Sequence, residues 1–380
     1  MPKKPTAEDL RNLLAPRPEP CLSLFLPLPR HGPELAKAPV RFRALVREAE
    51  SLLEDRYEDR RVRALLAPLA GLAEASDVFG PGPEGLAVFR AEGLVEAYRL
   101  WPAPPELVVV ADSFHVKPVI RCLQDRHRYW VLALGSRGAA LYEGSERGLV
   151  PRAVPGLPTA PVVSLPAETG GRGGAARGGP RAGASGSGKA PAEGDGGRRE
   201  EQLRIFRAVD AALREVLGDD APLLVAGAPT LLPLFREASG PRSLAADFVE
   251  GAVDDVGAEV LHERTLAAAR RALEARDAAL VEEFRRALDR GLGADILTRV
   301  AEAAVSGRVR RLLVAGGRAL FGRVDRTTGE VTLHAGQTGP QDDDVLDDLA
   351  EIVLARGGEV VVLESRAMPG EAAAVATFRW

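Results

Sequence analysis

Between Gly170 and Lys189 the chain carries Arg172, Arg177, Arg181 and Lys189 and no acid. The local charge is therefore +4, in a protein whose total is 50 − 54 = −4. Gly170, Gly171, Gly173, Gly174, Gly178 and Gly179 surround the first two arginines in Arg-Gly-Gly steps. A guanidinium pairs with phosphates and stacks on bases. Glycine leaves the backbone free to fit closely against a nucleic acid. These residue types in this pattern suit contact with RNA. They suit a solvated linker equally, because no aromatic side chain interleaves with the arginines. A second basic cluster, Arg41, Arg43 and Arg47, falls on an expected helix and could face RNA or simply water.

Other motifs point to less. The run from Gly183 to Gly188, Lys189 and Ala190 nearly matches the phosphate loop G-x-x-x-x-G-K-[ST]. Ala190 stands where the magnesium-binding hydroxyl is needed, and no strand precedes the run. His31, His115, His127, His262 and His334 are scattered without metal-ligand spacing, so neither a metal nor any other cofactor is expected. Asp342, Asp343 and Asp344 precede an expected helix, where acids favour the N-terminal dipole. There is no G-x-S-x-G elbow to support a hydrolase. Cys21 and Cys122 cannot build a disulfide framework or a cysteine-rich zinc site. The N-terminal sequence has no apolar signal region, and no stretch approaches the ~18 apolar residues of a membrane span. A soluble protein of a reducing cytoplasm is expected.

The elements that must hold these residues follow from hydrophobic spacing. From Pro166 to Arg199 there is no Val, Ile, Leu, Phe, Tyr or Trp, and glycine fills twelve of the 28 residues 170–197. Such a stretch cannot offset its ordering entropy, so 166–199 is expected to be a flexible loop. Before it, the apolar run 21–26 reads as a buried strand. Phe42, Leu45, Val46, Ala49, Leu52 and Leu53 mark one face of a helix, and Val62, Leu65, Leu66 and Leu69 that of a second. Short strands are expected at 86–89, 95–100 and 107–110. Runs 129–134 and 139–142 flank Gly135 and Gly138 as a hairpin. After the loop come a helix over 200–217, a strand at 223–227 and a helix near 231–238. A long helix over 259–290 opens the last part. It is followed by a helix at 296–304, strands at 309–315, 320–324 and 330–334, a helix at 345–355, and strands at 360–363 and 374–380. The fold class is α/β. Three consecutive mixed α/β domains are expected: 1–127, 128–258 carrying the loop, and 259–380 as an α/β/α layer domain.

Several stretches carry a family resemblance. Leu22-Ser-Leu-Phe-Leu-Pro27, Arg30-His-Gly-Pro-Glu34 and Arg41-Phe-Arg-Ala-Leu-Val-Arg-Glu-Ala-Glu50 form the opening. Glu106-Leu-Val-Val-Val-Ala-Asp-Ser-Phe-His-Val-Lys-Pro118 and Tyr129-Trp-Val-Leu-Ala-Leu134 form a domain junction. Leu224-Val-Ala-Gly227, Gly357-Gly-Glu-Val-Val-Val-Leu363, Met368-Pro-Gly370 and Phe378-Arg-Trp380 complete it. Together they resemble the bacterial archaeo-eukaryotic release factor family, family 3, within the archaeal and eukaryotic class I release factor and Pelota superfamily.

The resemblance implies a ribosomal setting: the ribosome and its rRNA as partners, together with tRNA and a translational GTPase, and neither a membrane nor DNA. In release factors of that superfamily a loop before a long helix carries Gly-Gly-Gln and promotes hydrolysis of the peptidyl-tRNA ester. Here the equivalent glycine pairs are followed by Arg172, Ala175, Pro180 and Arg198. Gln202 lies in the helix, without a glycine pair before it. The resemblance thus implies a factor that binds in or near the tRNA-accepting site in rescue, stalling or hibernation, with no catalytic residue assigned. The alternatives are a peptidyl-tRNA hydrolase using another residue, and an interaction scaffold that has left the ribosome.

Overall fold

The computed structural model describes all residues except 1, 30–31, 76, 81, 83, 137, 159–194, 219–220, 241–243 and 336–342. The chain divides into two compact units, one of residues Met1–Asp125 with Asp277–Trp380, the other of Arg126–Arg276.

The first unit opens with helix α1 (Ala7–Leu13), capped by Thr6. Strand β1 (Cys21–Pro27), helices α2 (Pro33–Ala36), α3 (Ala38–Glu54) and α4 (Asp59–Glu74), and strands β2 (Gly85–Ala91), β3 (Leu94–Leu100) and β4 (Leu107–Ala111) follow. Helix α5 (Lys117–Gln124) ends this segment. The strands form an antiparallel sheet in the order β3-β2-β1-β4. Strand β1 is buried on both faces, as its unbroken apolar run requires. Leu22, Leu24 and Leu26 meet Phe42, Leu45 and Leu69 of α3 and α4. Cys21 and Phe25 point the other way. The two helices expected from period-3.6 spacing are α3 and α4, and Phe42, Leu45 and Leu53 are indeed buried.

The second unit is built on β5 (Tyr129–Gly135), β6 (Gly138–Ser145) and β7 (Gly148–Arg152). Helix α6 (Asp195–Arg214), strand β8 (Leu223–Gly227), helix α7 (Leu231–Ala238), strand β9 (Leu244–Glu250) and the first part of helix α8 (Ala258–Asp289) complete it. Its sheet runs β7-β6-β5-β8-β9. The expected hairpin is the antiparallel pair β5–β6, with Gly135 opposite Gly138. Strands β5, β8 and β9 are parallel, with α6 and α7 as crossovers. Phe206, Val209, Leu213 and Phe235 cover one face. Leu261, Ala268 and Ala269 cover the other.

The remaining elements return to the first unit: β10 (Gly293–Ala294), α9 (Leu297–Val305), β11 (Val309–Ala315), β12 (Phe321–Val324), β13 (Val331–Leu333), β14 (Asp343–Asp344), α10 (Val345–Ala355), β15 (Glu359–Leu363) and β16 (Ala374–Phe378). The main sheet is β10-β16-β11-β15, in which β11 and β15 run parallel. Along β11, Leu312 and Val314 pack with α9 and α10. Leu313 and Ala315 pack with Val281 and Phe284 of α8. This is the expected α/β/α layering, set by period-2 alternation. One core holds Phe25, Phe89, Val116 and Ile120 together with Leu312, Val345, Leu349 and Val360. The two chain segments of this unit therefore share their burial.

Candidate functional site

In sequence, the basic segment lies between two elements of the Arg126–Arg276 unit: strand β7, which ends at Arg152, and helix α6, which begins at Asp195. Arg172, Arg177, Arg181, Lys189 and glycines Gly170, Gly171, Gly173, Gly174, Gly178 and Gly179 lie outside the described residues. The phosphate-loop-like run and His31 do so as well. Gln202 sits inside α6, in the second turn or beyond and away from the helix start.

The second basic cluster divides. Arg41 is drawn into the fold: its Nε lies 3.1 Å from Glu106 Oε2, a second nitrogen pairs with the same carboxylate, and a third donates to Pro27 O at 3.2 Å. Arg43 and Arg47, one turn apart on α3, are exposed. An arginine held by a carboxylate and a carbonyl has fewer donors for a phosphate than one in water. Of the three, Arg43 and Arg47 are the ones placed to meet a ligand from solvent.

A buried polar cluster of the first unit escapes sequence reading. Helix α5 begins after Val116, whose side chain can accept no hydrogen bond. Its first amides are instead received by Asp347 of α10. Val116 N–H donates to Asp347 Oδ2 at 3.0 Å, and Lys117 N–H donates to Oδ1. His115 Nδ1 lies 3.7 Å from the same carboxylate. Lys117 Nζ pairs with Asp344 and donates to Arg318 O at 2.8 Å. Asp344 Oδ1 also accepts from Leu320 N–H at 2.9 Å and, as the cap of α10, from Leu346 N–H at 3.1 Å. So the acidic run before α10 does serve the helix start, through Asp344; Asp342 is outside the described residues. His115, Lys117, Asp344 and Asp347 are all buried. The only sequence signal was Lys117-Pro118, a proline suited to a first helical turn.

These groups do not form an evident nucleophile. Ser23 Oγ accepts from the backbone N–H of His115 at 3.0 Å, and the His115 ring packs edge-on against Phe25 at 5.6 Å. Burial pushes the Cys21 thiol up to about 11, with Arg17 working weakly in the other direction. Burial likewise raises Cys122. A reactive cysteine needs the thiolate, which both sites disfavour. Among the described residues, no group of three or more His, Cys, Asp and Glu side chains could hold a metal ion. Nor is any described helix long and apolar enough to cross a membrane.

Residues 128–308 match the family model described as Bacterial archaeo-eukaryotic release factor family 3, and the chain resembles that family over this stretch. No curated protein matches. Among solved structures, the archaeal translation termination factor aRF1 is 17% identical, with 98% of this chain and 97% of that chain covered and a TM-score of 0.27. The archaeal Pelota of a ribosome-bound assembly with ABCE1 is 15% identical, with 100% and 95% covered and a TM-score of 0.41. Saccharomyces cerevisiae Dom34 is 10% identical, with 81% and 78% covered and a TM-score of 0.42. At such identities these are likenesses of fold at most.

Proposed function

We propose that the protein is a ribosome-associated, release-factor-like translation factor. It binds in or near the tRNA-accepting site in a rescue, stalling or hibernation role and does not hydrolyse peptidyl-tRNA. One observation carries the reading. The stretch that matches the release factor family contains, between a strand and a long helix, a segment with a +4 run and no Gly-Gly-Gln. The basic run supplies attraction to RNA in a chain of net charge −4, which RNA would otherwise repel. The missing glutamine removes the group that release factors of the superfamily bring to the ester. Ribosomal RNA and tRNA are the expected contacts, a translational GTPase the expected companion, and the cytoplasm the expected place. The three-part division 1–127, 128–258 and 259–380 belongs to this reading.

The test is sedimentation of the full chain with ribosomes through a sucrose cushion at low and high salt. The proposal expects pelleting at low salt and loss at high salt, with peptidyl-tRNA left intact. A chain that stays in the supernatant at both salts would leave the scaffold reading in its place.

A further inference from the structure

A cavity of about 490 Å³ opens beside the buried cluster, within the first unit. Its size falls in the range of small-molecule sites, roughly 300–1,000 Å³. Pro104, Pro105, Val109, Phe321 and Val362 give it an apolar wall. Gly316 and Gly317 line it where β11 ends, beside its parallel neighbour β15. The carboxyl ends of parallel strands are where open α/β sheets place their ligands.

Three cationic side chains, Lys117, Arg121 and Arg318, stand around this wall. Lys117 faces Asp344, and Arg121 faces Glu364. Arg318 also lines the cavity, and its side chain has only the backbone oxygen of Glu371 as partner among the described residues. Arg318 is exposed and has no carboxylate partner among the described residues. The Lys117 ammonium, 6% exposed, has three protons, and its bonds to Asp344 and Arg318 O use two of them. A ligand oxygen could accept the third proton of this buried ammonium.

We propose that this cavity binds a small amphipathic monoanion: an apolar body against Pro104, Pro105, Val109 and Phe321, with one carboxylate or sulfonate toward Arg318 and Lys117. An uncharged apolar molecule would gain the wall but leave the two cationic groups as they are.

The probe is anilinonaphthalene sulfonate, with N-phenylnaphthylamine as the same ring system lacking the sulfonate. Both are titrated into the full chain by fluorescence. The sulfonate should bind at one saturable site, about tenfold or more tighter than the uncharged ring, as charge-assisted bonds warrant. Arg318→Gln should remove most of that difference. Ala319→Trp, which places an indole at an exposed position of the lining, should weaken both probes. Arg60→Gln, on exposed α4 surface, should change nothing. Unchanged thermal midpoints show that the variants fold. Equal affinity for the two probes, or sulfonate binding indifferent to both Arg318→Gln and Ala319→Trp, would overturn the assignment. So would no saturable binding to the unmodified chain.

Discussion

Asp347→Ala should loosen the first unit at α5. In the folded protein Asp347 is 1% exposed and receives the N–H groups of Val116 and Lys117. Neither amide has an intrahelical acceptor, because both stand at the helix start. Alanine leaves them buried and unsatisfied, at about 1–3 kcal/mol each. It also removes a buried carboxylate, which returns part of that loss. The net effect is placed near the lower half of the range, at about 3 kcal/mol. Asp347→Asn keeps one carbonyl oxygen and should lose about half as much.

The assay is native-state hydrogen exchange over Lys117–Gln124, with urea unfolding of the full chain beside it. A loss of about 3 kcal/mol corresponds to exchange about 100-fold faster. A loss below about 1 kcal/mol, or one that leaves α5 exchange unchanged, would refute the view that this distant carboxylate caps the helix.

Three further outcomes follow from the geometry. Burial works to raise the Asp9 carboxyl, but hydrogen bonds from Lys3 and Thr6 outweigh it and hold the group at about 2. Its stabilising contribution is therefore complete above about pH 4 and lost as pH falls toward 2; Asp9→Asn should flatten that part of an acid-unfolding curve. Thr6→Ala removes the side-chain cap of α1 and should cost about 1 kcal/mol in the same urea experiment. Burial holds the Cys21 thiol protonated at about pH 8, so an aromatic disulfide reagent should label it only after unfolding; fast native labelling would contradict its burial.

The elements with local periodicity were legible in the sequence. The strand at β1, the helices α3 and α4, the β5–β6 hairpin and the layers around β11 all follow from apolar spacing, because each buries a face that its own residues define. Elements whose ends are set from afar were not. Helix α5 has no local side-chain cap; its acceptor, Asp347, lies 231 positions from Val116. Likewise Lys117 meets Asp344 across 227 positions. No window of sequence contains both members, so neither the shared core nor the cavity beside it leaves a local mark. Arg41 shows the converse. Its position on a helix face suggested solvent, yet Glu106, 65 positions away, holds it.

The most direct test of the ribosomal reading is affinity for purified ribosomes as a function of salt. The unmodified chain is compared with one in which Arg172, Arg177, Arg181 and Lys189 are all serine. Each phosphate contact contributes a slope of about −0.7 in log affinity against log salt for single-stranded RNA, so four contacts give about −3 over ~50–200 mM. The account predicts a slope near that value for the unmodified chain and a much shallower one, with weaker binding, for the quadruple variant. Equal affinity and equal slope for the two proteins would contradict it.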